Sequence, residues 1–210
     1  MVYLHIFPFR NIEYYGRNEK KRSMDMSSER NWNGEYDDST KAEPQKFIFA
    51  DSSPYPDVRV QEKNHLYGRM ILDNIGGSNS EMSAISLYVY NNLLLENHME
   101  LSKIFRKISI VEMHHLEIFG KIARLLGENP RLWTQRGNRM VYWSPAYNQY
   151  PMEMESLLKN ALIGEEKAVQ KYEEQCKVIK DDNIVACLKR IIKDEELHIE
   201  IFKELCRNYC

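Results

Sequence analysis

Glutamate and histidine recur along the chain in two patterns, each of which occurs twice. Glu-x-x-Ala-x-x-x-Tyr begins at Glu81 and again at Glu165, and Glu-x-x-His-x-Glu-Ile-Phe begins at Glu112 and again at Glu195. The two patterns are 31 residues apart in the first half and 30 residues apart in the second. This matched spacing indicates an internal repeat in which each half contributes one segment of each kind.

The second pattern places a carboxylate and an imidazole on one face of a helix. Residues three apart project from the same side of an α-helix, as Glu112 and His115 do, and as Glu195 and His198 do. The face that contains the first pair is otherwise apolar, at spacings typical of a helix side buried in a bundle. Its other members are Leu101, Phe105, Ile108, Phe119 and Ile122.

Such a repeat brings four carboxylates and two imidazoles into one interior. Buried carboxylates cannot remain ionised without a counter-charge, and two divalent cations would balance all of them. Oxygen ligands with a few imidazoles suit manganese or iron better than ions that prefer thiolates. This ligand set also occurs in di-iron and di-manganese bundle proteins. The sequence therefore predicts a centre of two divalent metal ions, Mn or Fe.

Several residues of these patterns also have a purely structural interpretation. Glu81 follows Ser78 by three residues, the spacing of a helix capping box, and Glu165 can be a solvated helix residue. Tyr88 and Tyr172 can be core aromatic residues, or they can hydrogen-bond a carboxylate that holds a metal ion. The repetition of the patterns and their shared apolar stripe favour the metal site.

Four long helices are needed to position these residues, and the sequence supplies them. They are expected over residues 78 to about 96, 98 to about 126, 151 to about 180 and 184 to about 207, after a short helix over 65–75. Asn97 with Glu100 resembles a capping arrangement for the second, and Pro151 favours the start of the third. Two helix pairs joined by a longer connection over residues 127–150 predict an all-α four-helix bundle.

The N-terminal quarter of the chain differs in character from the rest. Residues 16–46 contain few apolar side chains, so they cannot bury enough apolar area to offset the entropy of ordering. We therefore expect residues 1–54 to be a largely irregular, poorly ordered extension and residues 55–210 to form the bundle. The lead-in from Tyr55 is expected to be extended, with Val58 and Val60 on one side.

The overall composition excludes several classes of function. Lys and Arg number 29 and Asp and Glu number 31 in 210 residues, so the chain lacks the basic surplus of a nucleic-acid-binding protein. No apolar run approaches the ~20 residues of a membrane span. The four cysteines include no Cys-x-x-Cys pair, which excludes rubredoxin-type iron sites and zinc ribbons. Because residues 2–9 make a poor signal peptide, we expect a cytoplasmic protein with free thiols.

Together these residues resemble the ferritin-like di-metal superfamily, in its rubrerythrin and manganese-catalase branch, which includes spore-coat manganese-catalase-like proteins. The Gly-Gly pair before Glu81 and the Tyr-Pro lead-in at Tyr55 are similar to manganese catalases, and the Ile-Gly before Glu165 is similar to rubrerythrin. The resemblance covers about residues 55–206 and implies a ferritin-like four-helix bundle.

The resemblance also implies which residues hold the metal ions. The implied ligands are Glu81, Glu112, His115, Glu165, Glu195 and His198. Glu112 and Glu165 are the expected bridging carboxylates. Glu195 has two implied roles: it is a ligand in rubrerythrin-like sites, whereas in manganese catalases the matching residue lies beside the ions without binding them and can act as a catalytic general base.

The implied function is that of an oxidoreductase acting on hydrogen peroxide, in a homo-oligomer. The chain lacks the rubredoxin domain of classical rubrerythrins, which favours catalase-type disproportionation because that reaction needs no external reductant. Peroxidase action with a separate electron-donor protein is the alternative. Two further functions fit the same residues: ferritin-like iron oxidation and storage, and a structural, spore-coat-type protein whose metal site stabilises the bundle.

Overall fold

Helices dominate the computed structural model, which describes residues 47–210. Within that range the helices are α1 (His65–Gly76), α2 (Glu81–Leu94), α3 (Met99–Leu125), α4 (Met154–Val178) and α5 (Asp182–Tyr209). The last four are the long helices of the predicted bundle, so the all-α, ferritin-like fold class is confirmed. α4 begins at Met154, three residues after Pro151, where the sequence predicted its start.

Two of the four long helices start at side-chain caps that satisfy backbone N–H groups. Ser80 caps α2 by accepting from the Ser83 amide, and Asp181 caps α5 by accepting from two amides of the first turn. The predicted cap at Asn97 is wrong, because α3 begins after His98 and no side chain caps it.

The four long helices form two antiparallel pairs. α2 packs mainly on α3 and α4 mainly on α5, whereas α2 with α4 and α3 with α5 make far fewer contacts. Two apolar clusters fill the interior, one around Phe119 and Leu188 and the other around Phe105 and Phe202. Along α3 and α5 the Glu-x-x-His pairs lie between these clusters, so the polar residues form a layer within an apolar core.

The connection between α3 and α4 contains a β-hairpin that the sequence analysis did not predict. Strands β1 (Trp133–Arg136) and β2 (Arg139–Tyr142) pair antiparallel, and a 3-10 helix follows at Pro145–Tyr147. β1 passes directly over the end of α1. A Cβ at Gly76 would lie 2.4 Å from the Trp133 nitrogen, so only glycine permits this approach.

The predicted boundary at residue 54 falls within the described residues, and it stays a prediction. Residues 1–46 of the expected extension are outside the described residues. Residues 47–55 have no regular secondary structure and lie against α5; we call this segment the strap. Val58 and Val60 pack against the core cluster around Phe119, as the lead-in prediction requires.

No helix in residues 47–210 is both long enough and apolar enough to cross a membrane.

Candidate metal centre

The six residues predicted as metal ligands meet in the middle of the bundle. Each is at most 2% exposed. They are Glu81 on α2, Glu112 and His115 on α3, Glu165 on α4, and Glu195 and His198 on α5.

Their ligand atoms form two overlapping groups, in each of which the atoms lie within 4.8 Å of one another. The first group comprises Glu81, Glu112, His115 and Glu195, and the second comprises Glu112, Glu165, Glu195 and His198. Glu112 and Glu195 belong to both groups. The geometry thus favours Glu195 over Glu165 as the second bridging carboxylate, because the two Glu-x-x-His helices both point their glutamates at the centre.

The Nδ1 atom of His115 faces three carboxylates at once. It lies 3.2 Å from Glu195 Oε1, 3.3 Å from Glu112 Oε2 and 4.0 Å from Glu81 Oε2. One nitrogen carries at most one proton, so it cannot donate to all three oxygens. A cation at this position would be attracted by all of them.

The Nδ1 atom of His198 has the matching environment in the other group. It lies 2.9 Å from Glu112 Oε1, 3.3 Å from Glu195 Oε2 and 3.8 Å from Glu165 Oε1. Despite these short distances, Glu112 Oε1 and Glu195 Oε1 are buried without a correctly oriented hydrogen-bond donor. Orphaned carboxylate oxygens are costly in a protein interior, and a bound cation would satisfy them. The donor set therefore fits two oxygen-preferring ions.

Tyrosines hold the two outer glutamates. Tyr172 donates to Glu81 Oε1 at 2.5 Å, and Tyr88 donates to Glu165 Oε1. Burial and nearby carboxylates raise the pKa of both phenols well above the ordinary value, so both remain hydrogen-bond donors. Both tyrosines are also buried in the apolar core, so the structure supports both interpretations that the sequence left open.

Asp194 is a part of the site that the sequence analysis missed. Its carboxylate accepts hydrogen bonds from His115 Nε2 at 3.0 Å, Tyr55 at 2.5 Å and the Asp51 amide at 2.6 Å, and Arg190 lies 2.7 Å away. Burial acts to raise the pKa of Asp194, but these donors lower it to about 2. The sequence does contain a signal for Asp194. Val111 occupies the matching position in the first half, so the internal repeat does not extend to this residue.

Protons supply the counter-charge when no cation is bound. Burial and the charges of Glu112 and Glu195 raise the pKa of Glu81 and of Glu165 well above the usual value. Burial also acts to raise the pKa of Glu112, but the two neighbouring histidines outweigh it and lower that pKa.

The pKa values of the two histidines shift in the direction that favours their charged form. Burial alone would lower the pKa of His115 and of His198, but neighbouring carboxylates raise both well above the ordinary value. Metal binding at this centre must therefore displace protons from both imidazoles, which makes it dependent on pH.

We expect the stabilisation by Mn²⁺ to increase with pH. Protonated histidines with raised folded-state pKa values stabilise the metal-free fold below the unfolded pKa of about 6.5, and this contribution is lost as the pH rises through the folded pKa. The metal-bound protein does not use those protons. Thermal unfolding with and without Mn²⁺, measured anaerobically near pH 6 and near pH 8, should show a wider gap in Tm at the higher pH. A gap that narrows as the pH rises would contradict this account.

Comparison with known proteins identifies the same type of fold. The chain is 22% identical over 168 residues to a probable manganese catalase of Clostridium acetobutylicum, which covers 70% of this chain and 73% of the relative. A manganese catalase structure from Anabaena superimposes with a TM-score of 0.67 and 23% identity, over 77% of this chain and 80% of that one. A bacterioferritin structure from Rhodobacter capsulatus superimposes with a TM-score of 0.57 and 22% identity, over 71% of this chain and 88% of that one.

The family comparison covers the whole of the predicted repeat. The rubrerythrin family model matches residues 77–206, a range that includes all six candidate ligands and most of the four long helices. The chain belongs to the rubrerythrin family.

Proposed function

We propose that this protein is an oxidoreductase that decomposes or reduces hydrogen peroxide at a centre of two manganese or iron ions. The observation that carries the proposal is the pair of overlapping, fully buried groups of carboxylate and imidazole atoms. The proposed ligands are Glu81, Glu112, His115, Glu165, Glu195 and His198, with Glu112 and Glu195 shared. When bound, such a pair of ions supplies the two one-electron changes that conversion of one peroxide molecule requires.

A cavity gives small molecules access to this centre. It encloses about 330 Å³ between α2 and α4, and all four carboxylates of the centre line its inner end. Hydroxyl and amide groups line its outer part, among them those of Ser80, Asn148 and Asn160. A polar, hydrogen-bonding substrate as small as peroxide can therefore reach the carboxylates without any movement of the helices.

The protein groups have distinct roles in this proposal. Tyr172 binds Oε1 of Glu81 and leaves Oε2 facing His115. Tyr88 binds Oε1 of Glu165, the oxygen that also faces His198. Glu195 lines the cavity and has an oxygen without a hydrogen-bond partner. It is therefore placed both to hold the ions and to receive a proton from a substrate in the cavity.

Closing the cavity should slow peroxide turnover without removing metal. A Cβ added at Gly164 meets no atom within 4 Å, and Gly164 lines the cavity, so the side chain of Gly164→Leu has room to extend into it. We expect kcat/KM to fall by roughly tenfold or more while metal content stays at the wild-type level.

The matched control for this variant is Gly120→Leu. Gly120 lies on α3 outside the cavity, and its added Cβ would have one neighbour at 4.0 Å. Both substitutions place a better helix former at a helical glycine, so a general effect of that change would appear in both. Equal turnover by the two variants would show that the substrate does not use this cavity.

Ferritin-like iron oxidation is the second candidate, and the structural similarity to bacterioferritin favours it. The three possible activities differ in what they consume and in what they produce. Catalase action releases oxygen from peroxide without a reductant, peroxidase action consumes peroxide only with an electron-donor protein or dye, and ferroxidase action accumulates oxidised iron in a large particle.

The proposed function is tested by measuring these products directly. Protein loaded with Mn²⁺ or Fe²⁺ should release oxygen from peroxide in an oxygen electrode if it acts as a catalase, or consume peroxide with an added electron-donor dye if it acts as a peroxidase. Metal-free protein should do neither. Iron accumulation in a shell-sized particle without peroxide consumption would favour the ferritin function instead. Metal-loaded protein with neither activity would favour the structural, coat-type alternative. The cytoplasmic location, the homo-oligomer and the electron-donor protein stay predictions.

A further inference from the structure

The strap contacts the outer edge of both ligand histidines. The Phe49 carbonyl oxygen lies 2.9 Å from His198 Nε2. On the other side, the Tyr55 hydroxyl lies 3.5 Å from His115 Nε2 and donates to the same Asp194 oxygen that His115 contacts. Atoms of the strap thus reach the imidazole edge that faces away from the centre in each half of the repeat.

These contacts determine which nitrogen of each imidazole can bind a cation. A carbonyl oxygen can only accept a hydrogen bond, so the Phe49 contact requires the hydrogen of His198 on Nε2. The lone pair of the neutral ring is then on Nδ1, which faces Glu112 and Glu195. The Asp194 carboxylate imposes the same arrangement on His115.

Arg190 fastens the strap to α5. Its Nε donates to the Ser53 carbonyl at 2.7 Å and its Nη2 to the Asp51 carbonyl at 2.6 Å. The guanidinium also lies 3.9 Å from the centre of the Tyr55 ring and 2.7 Å from Asp194 Oδ1. Arg190 is only 5% exposed, so one buried side chain holds both the strap and the carboxylate that contacts His115.

The strap also contacts both α3 and α5. The Phe49 ring lies 5.3 Å from Lys107 Nζ of α3, while its carbonyl contacts α5. Tyr55 likewise stacks edge-on against His114 of α3, with ring centres 4.5 Å apart. The centre is therefore open to the cavity on the α2–α4 side, and the strap covers it on the α3–α5 side.

We propose that strap residues Phe49 and Tyr55 are positioning residues of the metal centre. The Phe49 carbonyl fixes the ring of His198, and Tyr55 fixes the ring of His115 through Asp194, so that both Nδ1 atoms face the shared carboxylates. This inference rests on metal binding at the proposed centre and not on the peroxide chemistry.

The mildest test is Tyr55→Phe in the full-length protein. Phenylalanine keeps the ring that packs on Arg190 and removes only the hydroxyl. We expect calorimetric titration with Mn²⁺ to show one of the two ions bound about tenfold more weakly, with the other near its wild-type affinity. The absorption spectrum of the Co²⁺-loaded protein should change, because the orientation of one imidazole ligand changes.

Tyr90→Phe is the matched control, since within residues 47–210 the Tyr90 hydroxyl bonds only backbone carbonyls shortly before α4. It should retain the wild-type titration and Co²⁺ spectrum. Tyr55→Phe with wild-type affinity for both ions would overturn the role of Tyr55. Equal weakening of both ions, with a lower Tm of the metal-free protein, would show a merely structural role and also overturn it.

Arg190→Gln tests the strap as a whole, because it releases the two carbonyls that hold the strap on α5 and also removes the guanidinium beside Asp194. Both ions should then bind at least about tenfold more weakly, and hydrogen exchange at the Asp51 amide should accelerate. Faster exchange with unchanged Mn²⁺ binding would overturn the proposal for Phe49.

The wild-type protein separates this inference from the proposed function. Protein that binds two Mn²⁺ ions but consumes no peroxide would overturn the proposed function and leave this inference intact. Protein that binds neither Mn²⁺ nor Fe²⁺ would overturn both.

Discussion

Glu112→Gln should remove both metal ions from the protein. Glu112, like its counterpart Glu195, has a separate oxygen near each histidine. These oxygens of Glu112 lie 3.3 Å from His115 Nδ1 and 2.9 Å from His198 Nδ1. The amide keeps the size of the side chain but removes its negative charge, which leaves two cations beside too few carboxylates. Elemental analysis after gel filtration should find less than about one tenth of the wild-type metal content.

The stability of the variant gives a second measure of the same loss. A ligand at about 100 times its Kd stabilises the folded state by about 2.7 kcal/mol, so the wild-type Tm should rise on addition of Mn²⁺ and that of Glu112→Gln should not. Glu166→Gln is the matched control, since Glu166 is exposed on α4. Glu165→Gln should lose mainly one ion, because Glu165 belongs to one group only. Full metal content in Glu112→Gln would exclude this residue as a bridging ligand.

Glu195→Gln should abolish peroxide turnover, and the metal content will show why. The position of Glu195 in both ligand groups predicts that metal is lost together with activity. A general base that is not a ligand would instead leave both ions in place while turnover falls by ~10²–10⁴-fold, because glutamine cannot take up a proton at neutral pH.

Glu196→Gln separates the effect of the site from that of a charge change on the same helix. Glu196 is exposed and adjacent in the chain, and its variant should match the wild type in both measurements. Glu195→Gln with full metal and full activity would exclude both roles for Glu195.

The ligand residues could be predicted from the sequence because their spacing is local. Glu and His three residues apart lie on one helix face in any long helix, and the duplication showed that two such faces share an interior. The helix boundaries followed from glycine and proline, to within a few residues. The same reasoning paired Glu112 with Glu165 as bridging carboxylates, whereas the structure places Glu112 and Glu195 in both ligand groups. Local spacing cannot decide between Glu165 and Glu195, because it does not give their distances from the two histidines.

The strap and Asp194 could not be predicted in the same way. The acceptor for His198 is a backbone carbonyl 149 residues earlier in the chain, and a carbonyl leaves no mark on the sequence. Arg190 and Asp194 form an i,i+4 pair that resembles an ordinary surface salt bridge, and only its burial reveals its role. The hairpin over residues 133–142 was missed because each of its strands has only four residues, too few to show a clear alternation of apolar and polar side chains.

The central claim, that six buried side chains hold two metal ions, is tested most directly by anomalous diffraction. Crystals of the full-length protein loaded with Mn²⁺ should give two anomalous peaks per chain, one beside Nδ1 of His115 and one beside Nδ1 of His198. Glu112 and Glu195 should contact both peaks. Density without a metal peak at these nitrogens, or metal bound only at the cysteines of α4 and α5, would contradict the account.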